Sequence, residues 1–404
     1  MEVIGFVLSI LAGLLILVFL VAIHEFGHGI VARRNGVVVE EFGVGFPPRA
    51  WGRKLKQSIL GKNVLYSVNW LPIGGFVKLR GEYDAASKPG DYGAATFWQK
   101  TKIILAGVAT NWIAAAVLFS VLALVGMPKL IPNQFYVASD ARVDKSVVRV
   151  GEVVEGLPAE KAGLQEGDVL ESVTPLAMIC PASIDVECEF PVADEVGTIV
   201  SLAQDFPGET LVVTYIRDGE TRETKLANRT SEEAVDGKGY MGISLAQDKP
   251  TTIQSTWSAP VVGVGVTGQL SWEILKGIGG LLQNVWTGIV GNLTGDQVAS
   301  QKLGEAGDSV AGPVGIVGQI LPGAVSAGIV PVLLITAILS VTLAVMNILP
   351  IPALDGGRWY LMALFKVMNK PLTKEIEERI NGYGMIFLLG LIALITVLDV
   401  GRLF

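Results

Sequence analysis

Histidine is almost absent from this chain, with two residues, His24 and His28, in 404. Cysteine is as scarce: two residues, too few for a disulfide scaffold. Charge is thin as well. Asp, Glu, Lys and Arg make up 17% of the sequence, against about 25% in a usual soluble domain, which argues against an ordinary cytosolic enzyme. Acids outnumber bases 38 to 31, a net charge of −7 that offers no basic footprint for nucleic acid. No internal repeat or low-complexity tract stands out.

Long uncharged runs are what the chain has in quantity. Residues 3–23 carry no charge and are long enough to cross a hydrocarbon core of about 30 Å as a helix. No basic residue precedes the run and no small-residue cleavage site follows it, so it reads as a retained membrane helix rather than a signal peptide. Residues 103–126 and 329–350 are uncharged throughout, and the shorter run 384–398 spans once flanking residues are added. The fold class expected is a polytopic α-helical membrane protein with about four transmembrane helices. Sidedness follows from charge. Residues 31–102 hold twelve Lys or Arg against five acids, whereas 127–255 hold eleven against twenty-two. Short basic loops stay in the cytoplasm, which places the first loop and 358–379 inside and the large acidic region outside.

Between the second and third runs, residues 136–250 have soluble character. VGEVVEGLPAEKAGLQEGDVLESV reads as a strand, a short helix at Pro158 to Ala162, a stop at Gly163 and a strand opened by Gly167-Asp168. ETLVVTYIRDGETRETKLA alternates apolar and polar residues around Asp218-Gly219, a hairpin signal, and GYMGISL closes the unit. The pattern resembles a PDZ domain of the bacterial membrane-protease type, a fold that binds extended segments at a sheet edge. Cys180 and Cys188 sit eight apart in its long central loop. On the oxidising side of a membrane they are compatible with a disulfide or with two free thiols. Residues 256–300, Gly-rich with Trp257, Trp272 and Trp286, read as a membrane-surface helix leading to the third span, with a fifth or re-entrant membrane segment as the alternative. The domain plan is therefore 1–126 as an N-terminal membrane core, 136–250 as the β-rich insertion, 256–300 as a surface linker and 329–404 as a C-terminal membrane core.

Both histidines fall in HEFGH, residues 24–28, at the end of the first run. Positions i and i+4 share a helix face, so both imidazoles can hold one metal ion with Glu25 beside it. Two histidines scattered at random over the chain would fall four apart roughly once in two hundred cases. Polar groups at such depth are costly and point to function. A third ligand must be a carboxylate, as no further histidine exists and neither cysteine is on this side. Asp355 in NILPIPALDGGRWY is the best candidate, because the first and third runs both travel outside to inside and bring residue 24 and residue 355 to one depth. Pro350 and Pro352 break the helix there, and Gly356-Gly357 permit a tight turn.

HExxH at the end of a first span, a PDZ-like insertion and NxxPxPxxDG after a late span together resemble the site-2 protease family of intramembrane zinc metalloproteases. The likeness is to the bacterial regulator-of-sigma-E-protease form, with a single PDZ domain. It implies zinc held by His24, His28 and Asp355, Glu25 as catalytic base, and Asn347 as a residue that handles substrate. FGVGFPP (42–48) and LPIGGFVKL (71–79) resemble the family's membrane-associated β-hairpin, and with them Gly45, Gly74, Gly75, Phe76 and, in AGVATNW, Asn111 become candidate substrate-binding residues. The departures are Pro47 in place of a glycine, Val108 where a proline is common, and one PDZ-like unit where some bacterial members have two. The partners implied are the lipid bilayer and single-span membrane proteins, such as anti-sigma-factor-like proteins or signal-peptide remnants, with no nucleic acid. The location implied is the inner or plasma membrane, with the active site near the cytoplasmic side. A silent PDZ scaffold and an ion or metal transporter are the rival readings. The intact HEFGH with Asp355 opposes the first, and four spans without an inverted repeat oppose the second.

Overall fold

The computed structural model describes residues 2–82, 88–178, 196–236, 238–247, 250–294, 312 and 315–403. Cys180 and Cys188 lie outside the described residues, and so does their pairing. The chain divides into two compact units: Met1–Leu122 with Ala259–Phe404, and Ala123–Ser258.

The first unit is mostly helical. Its helices are α1 (Glu2–Arg34), α2 (Phe97–Val125, whose last turn belongs to the second unit) and α5 (Ala259–Thr294). The C-terminal part adds α6 (Leu321–Ala327), α7 (Ile329–Ile348), α8 (Asp355–Val367) and α9 (Lys374–Leu403). Among the described residues, four helices are long and apolar enough to cross a membrane: Val7–Arg34, Phe97–Val125, Ile329–Ile348 and Lys374–Gly401. They overlap the four runs read from the sequence, and the last contains its run entirely. Leu8, Leu11, Leu15 and Phe19 of α1 remain exposed, the surface a helix would turn to lipid rather than to protein. Small residues let α1 and α2 cross closely: a Cβ on Gly27 would stand 2.2 Å from Thr110 Oγ1 and 2.9 Å from the Ala106 carbonyl.

Between α1 and α2 run two long strands, β1 (Val39–Ser58) and β2 (Gly61–Leu79). Their pairing is not that of a simple hairpin. Gly43 and Val44 face Phe76 and Gly75 on one side and Ser67 and Val68 on the other. Ser67 and Val68 in turn face Gly52 and Trp51. The hairpin thus doubles back into a sheet four segments wide, with the Gly74–Leu79 segment at one edge. The corner lies near Gly45, whose φ of 78° and Leu71 carbonyl contact exclude a side chain, and Asn69 Nδ2 donates to the Gly45 carbonyl at 3.0 Å. The inner face of this sheet buries Val39, Leu60, Val64 and Leu79 against Ala32, Ile103 and Ile104 of α1 and α2.

The second unit carries a five-stranded antiparallel sheet ordered β8-β7-β6-β5-β9 and a three-stranded sheet ordered β3-β10-β4. The larger sheet comprises β5 (Val148–Val153), β6 (Val169–Pro175), β7 (Thr210–Arg217), β8 (Glu220–Ala227) and β9 (Ile243–Gln247). The smaller comprises β3 (Met127–Pro128), β4 (Arg142–Asp144) and β10 (Thr252–Gln254). Short α3 (Pro158–Lys161) and α4 (Val196–Asp205) pack on a core of Val148, Leu170, Ile199, Leu211, Val213 and Leu226. Asp218 and Gly219, with φ of 54° and 82°, make the β7–β8 turn that their sequence announces. Asp168 anchors the mouth of this sheet: Arg217 donates to its two carboxylate oxygens at 2.7 and 2.6 Å.

Candidate metal centre

HEFGH lies within α1, so the 3.6-residue period sets His24 and His28 one turn apart on one face. Their Nε2 atoms stand 3.1 Å from each other, and both imidazoles are buried, at 7% exposure. Asp355, 331 positions downstream of His24, completes the cluster. Its Oδ2 lies 3.0 Å from His24 Nε2 and 3.2 Å from His28 Nε2. The expected ligand trio therefore converges in three dimensions.

The breaks around Asp355 explain how it gets there. α7 ends at Ile348, and Pro350 and Pro352 deny the backbone a continuing ladder. Ala353 takes a φ of 77°, and Leu354 is extended before α8 opens at Asp355. The reversal is so tight that a Cβ on Gly356 would lie 2.3 Å from the Ile348 carbonyl, and one on Gly357 2.0 Å from that of Ile351. α8 is then pinned from its other side. Arg358 Nε donates to Glu377 Oε1 of α9 at 2.8 Å, its guanidinium also reaches the Glu82 carbonyl, and it stacks 4.7 Å over the Tyr92 ring. Trp359 Nε1 donates to Thr101 Oγ1 of α2 at 3.1 Å.

A zinc ion fits this cluster by donor chemistry and by space. Tetrahedral ligands at about 2.0–2.1 Å from zinc stand roughly 3.3 Å from one another, close to the separations above. The space comes from α2, where Gly107 faces the pair. A Cβ there would sit 2.3 Å from His28 Nε2 and 2.6 Å from His24 Nε2. Two imidazoles and one carboxylate are also the donor set of hydrolytic zinc sites that keep one position open. The carboxylate of Glu25 belongs to the same group, its ligand atom within 4.8 Å of those of both histidines. It accepts a hydrogen bond from Val77 N at 3.0 Å.

The other candidate residues are distributed around this centre. Gly75 lies against Glu25, with 3.8 Å between a built Cβ and Glu25 Cγ, while Gly74 backs onto the Phe46 ring. Phe76 packs over Gly43. Gly45 sits at the corner of the sheet, next to Val44, which pairs with Gly75. Asn347 lies half-buried on the last turn of α7. Asn111 is wholly buried, its amide nitrogen 3.4 Å from His24 Nδ1. Gly107, the Ile103 carbonyl (2.7 Å from His28 Nδ1) and the Val77 N–H do not emerge from sequence reasoning. The sequence signal available for the first two is the spacing of Ile103, Gly107 and Asn111, four apart on one helix face.

A HExxH helix in a membrane-type bundle, with a distant aspartate closing the site, defines a membrane metalloprotease. Peptidase family M50 matches residues 12–391, and the chain belongs to it as a zinc metalloprotease of the site-2 type. It is similar to a Clostridium perfringens protein named for an inferred zinc metalloprotease activity, with 30% identity over 382 residues that cover 94% of this chain and 95% of that one. A similarly named Nostoc protein is 28% identical over 394 residues, covering 95% of this chain and 93% of its own. The zinc metalloprotease RasP of Bacillus licheniformis is 25% identical over 477 residues, covering 98% and 99% respectively.

Proposed function

We propose that this membrane zinc protease cleaves peptide bonds within or next to transmembrane segments of other membrane proteins, as the second cut after an ectodomain has been removed. His24, His28 and Asp355 are the zinc ligands, Glu25 is the catalytic base and Asn347 assists at the substrate carbonyl. The observation that carries the reading is the convergence of three donor atoms within 3.2 Å beside a carboxylate that meets a sheet edge. Zinc, when bound, supplies a Lewis acid for the scissile carbonyl and acidifies water. Glu25, with a carboxylate oxygen within 4.8 Å of the ligand nitrogens of His24 and His28, would take a proton from the attacking water and return it to the leaving amine.

A peptide bond in a helix is shielded by its own hydrogen bonds, so substrate must unwind before it reacts. The Gly74–Leu79 segment is the edge that receives it. Its inner side pairs with β1, and its outer side brings Gly75 and the Val77 N–H to Glu25. A substrate strand added there presents its backbone to the base.

The basic loop between α1 and α2 and the break before α8 are cytoplasmic, which puts the active site near the cytoplasmic face of the inner or plasma membrane. The 136–250 region is an extracytoplasmic PDZ-like filter that admits single-span substrates already trimmed outside, such as anti-sigma-factor-like proteins or signal-peptide remnants. Trp257 just before α5 and Trp272 and Trp286 along it are exposed. Gly263 and Ser271, however, lie against Ser120 and Trp112 of α2, so the first half of α5 runs alongside the second span rather than across the membrane surface expected from the sequence.

The test is cleavage in liposomes of a tagged single-span substrate lacking its ectodomain, with fragments mapped by mass spectrometry. Wild type is expected to cut inside the span and to stop when zinc is chelated, while Glu25→Gln keeps zinc and does not cut. Retained turnover by Glu25→Gln would remove the base assignment. A cut confined to the ectodomain side would remove the intramembrane reading.

A further inference from the structure

α2 faces the histidine pair with three residues at four-residue spacing, Ile103, Gly107 and Asn111, each of which meets the pair differently. The Ile103 carbonyl lies 2.7 Å from His28 Nδ1. A carbonyl cannot donate, so Nδ1 carries the proton and Nε2 is left bare for a metal. Gly107 leaves the space on the Nε2 side. Asn111 Nδ2 is placed 3.4 Å from His24 Nδ1, with Oδ1 on the far side of the amide buried without a hydrogen-bond partner. A half-turn of the amide exchanges its two ends and brings Oδ1 to His24 Nδ1. A neutral His24 that offers Nε2 to a metal must carry its proton on Nδ1, and that proton needs an acceptor. Of the two ends of the Asn111 amide, only Oδ1 accepts.

We propose that Asn111 is a positioning residue for the metal site: its Oδ1 accepts from His24 Nδ1–H and so fixes the tautomer and ring plane in which His24 Nε2 ligates zinc. This rests on the ligand assignment proposed above. It moves Asn111 from the substrate side of the site, where sequence reasoning put it, to the back of a ligand. Its full burial fits that place. The residue is itself held, since Ser340 Oγ of α7 donates to the Asn111 carbonyl at 2.8 Å. One face of α2 thereby supplies an acceptor to each histidine and the gap between them.

The experiment measures zinc affinity of the full-length protein in detergent by chelator competition, for wild type, Asn111→Leu, Asn111→Asp and His24→Ala. Circular dichroism of the zinc-free forms checks the fold, and Asn111→Ala replaces the leucine variant if that one does not fold. Loss of an outer-shell acceptor typically weakens metal binding about 10–100-fold, the loss expected for Asn111→Leu. Asn111→Asp, which keeps an acceptor of the same size, should stay within about threefold of wild type on the same outer-shell argument. Unchanged affinity in Asn111→Leu, or equal losses in the leucine and aspartate variants, would overturn the inference. Full zinc binding by His24→Ala would overturn the ligand assignment instead, which separates the two failures.

Discussion

Adding one methyl group at Gly107 tests the metal centre without touching a ligand. The new Cβ would lie 2.3 Å from His28 Nε2 and 2.6 Å from His24 Nε2, about 1 Å inside a normal carbon–nitrogen contact. Overpacking of that size costs about 1–3 kcal/mol. In the zinc-free protein the imidazoles can turn aside, and alanine gains about 0.5–1 kcal/mol over glycine in a helix interior. In the zinc-bound protein both Nε2 atoms must stay where the metal needs them, within about 0.2 Å, so the cost falls on binding. At 1.4 kcal/mol per tenfold, Gly107→Ala should weaken zinc by about 10–100-fold while leaving thermal unfolding of the apo form within a few degrees. Chelator competition and melting in detergent read the two quantities on one sample. Zinc affinity within about twofold of wild type would mean that the space beside Gly107 is not where the ion sits.

Three further outcomes are expected. Asp355→Asn should lower zinc content after dialysis, and metal retained at the wild-type ratio would place the third ligand elsewhere. Arg358→Leu removes the ion pair to the Glu377 carboxylate, which is 3% exposed; breaking a buried pair costs about 3 kcal/mol, to be read as a lower melting temperature together with weaker zinc, because α8 carries Asp355. In the second unit, burial pushes the Asp168 carboxyl up, but hydrogen bonds from Arg217 and from the Gln165 backbone outweigh it and hold the group below its ordinary value. A depressed carboxylate contributes stability that is fully present above its unfolded pKa, about 4, and is lost as the pH falls below that toward the folded value. Arg217→Leu should therefore flatten the acid limb of the stability curve for this unit, and an unchanged limb would assign the acid sensitivity to other groups.

The candidate ligands were legible because the chain has only two histidines. Two histidines four apart announce themselves, and Asp355 follows by elimination and from the direction of the spans. What surrounds them was not legible, for a physical reason. The Ile103 carbonyl and the Val77 N–H are backbone groups that any residue would offer, and the Gly107 contribution is a missing atom. Strand pairing was hidden in the same way: 42–48 and 71–79 read as one hairpin, yet Gly43 pairs with both Phe76 and Ser67, a register no local pattern encodes. α5 was legible as a helix but not in its packing. Helix propensity counts its glycines as breakers, and the stretch forms one helix of 36 residues. At Gly263 the reason is visible, since a Cβ would lie 2.1 Å from Ser120 Oγ and 2.4 Å from the Ala116 carbonyl of α2. Gly27 of α1 and Gly107 of α2 thus close the contact between those two helices, and Gly263 brings α5 onto α2 at backbone distance. At these three positions glycine serves close approach rather than a turn, and the gap beside Gly107 is the space the proposed zinc site would use.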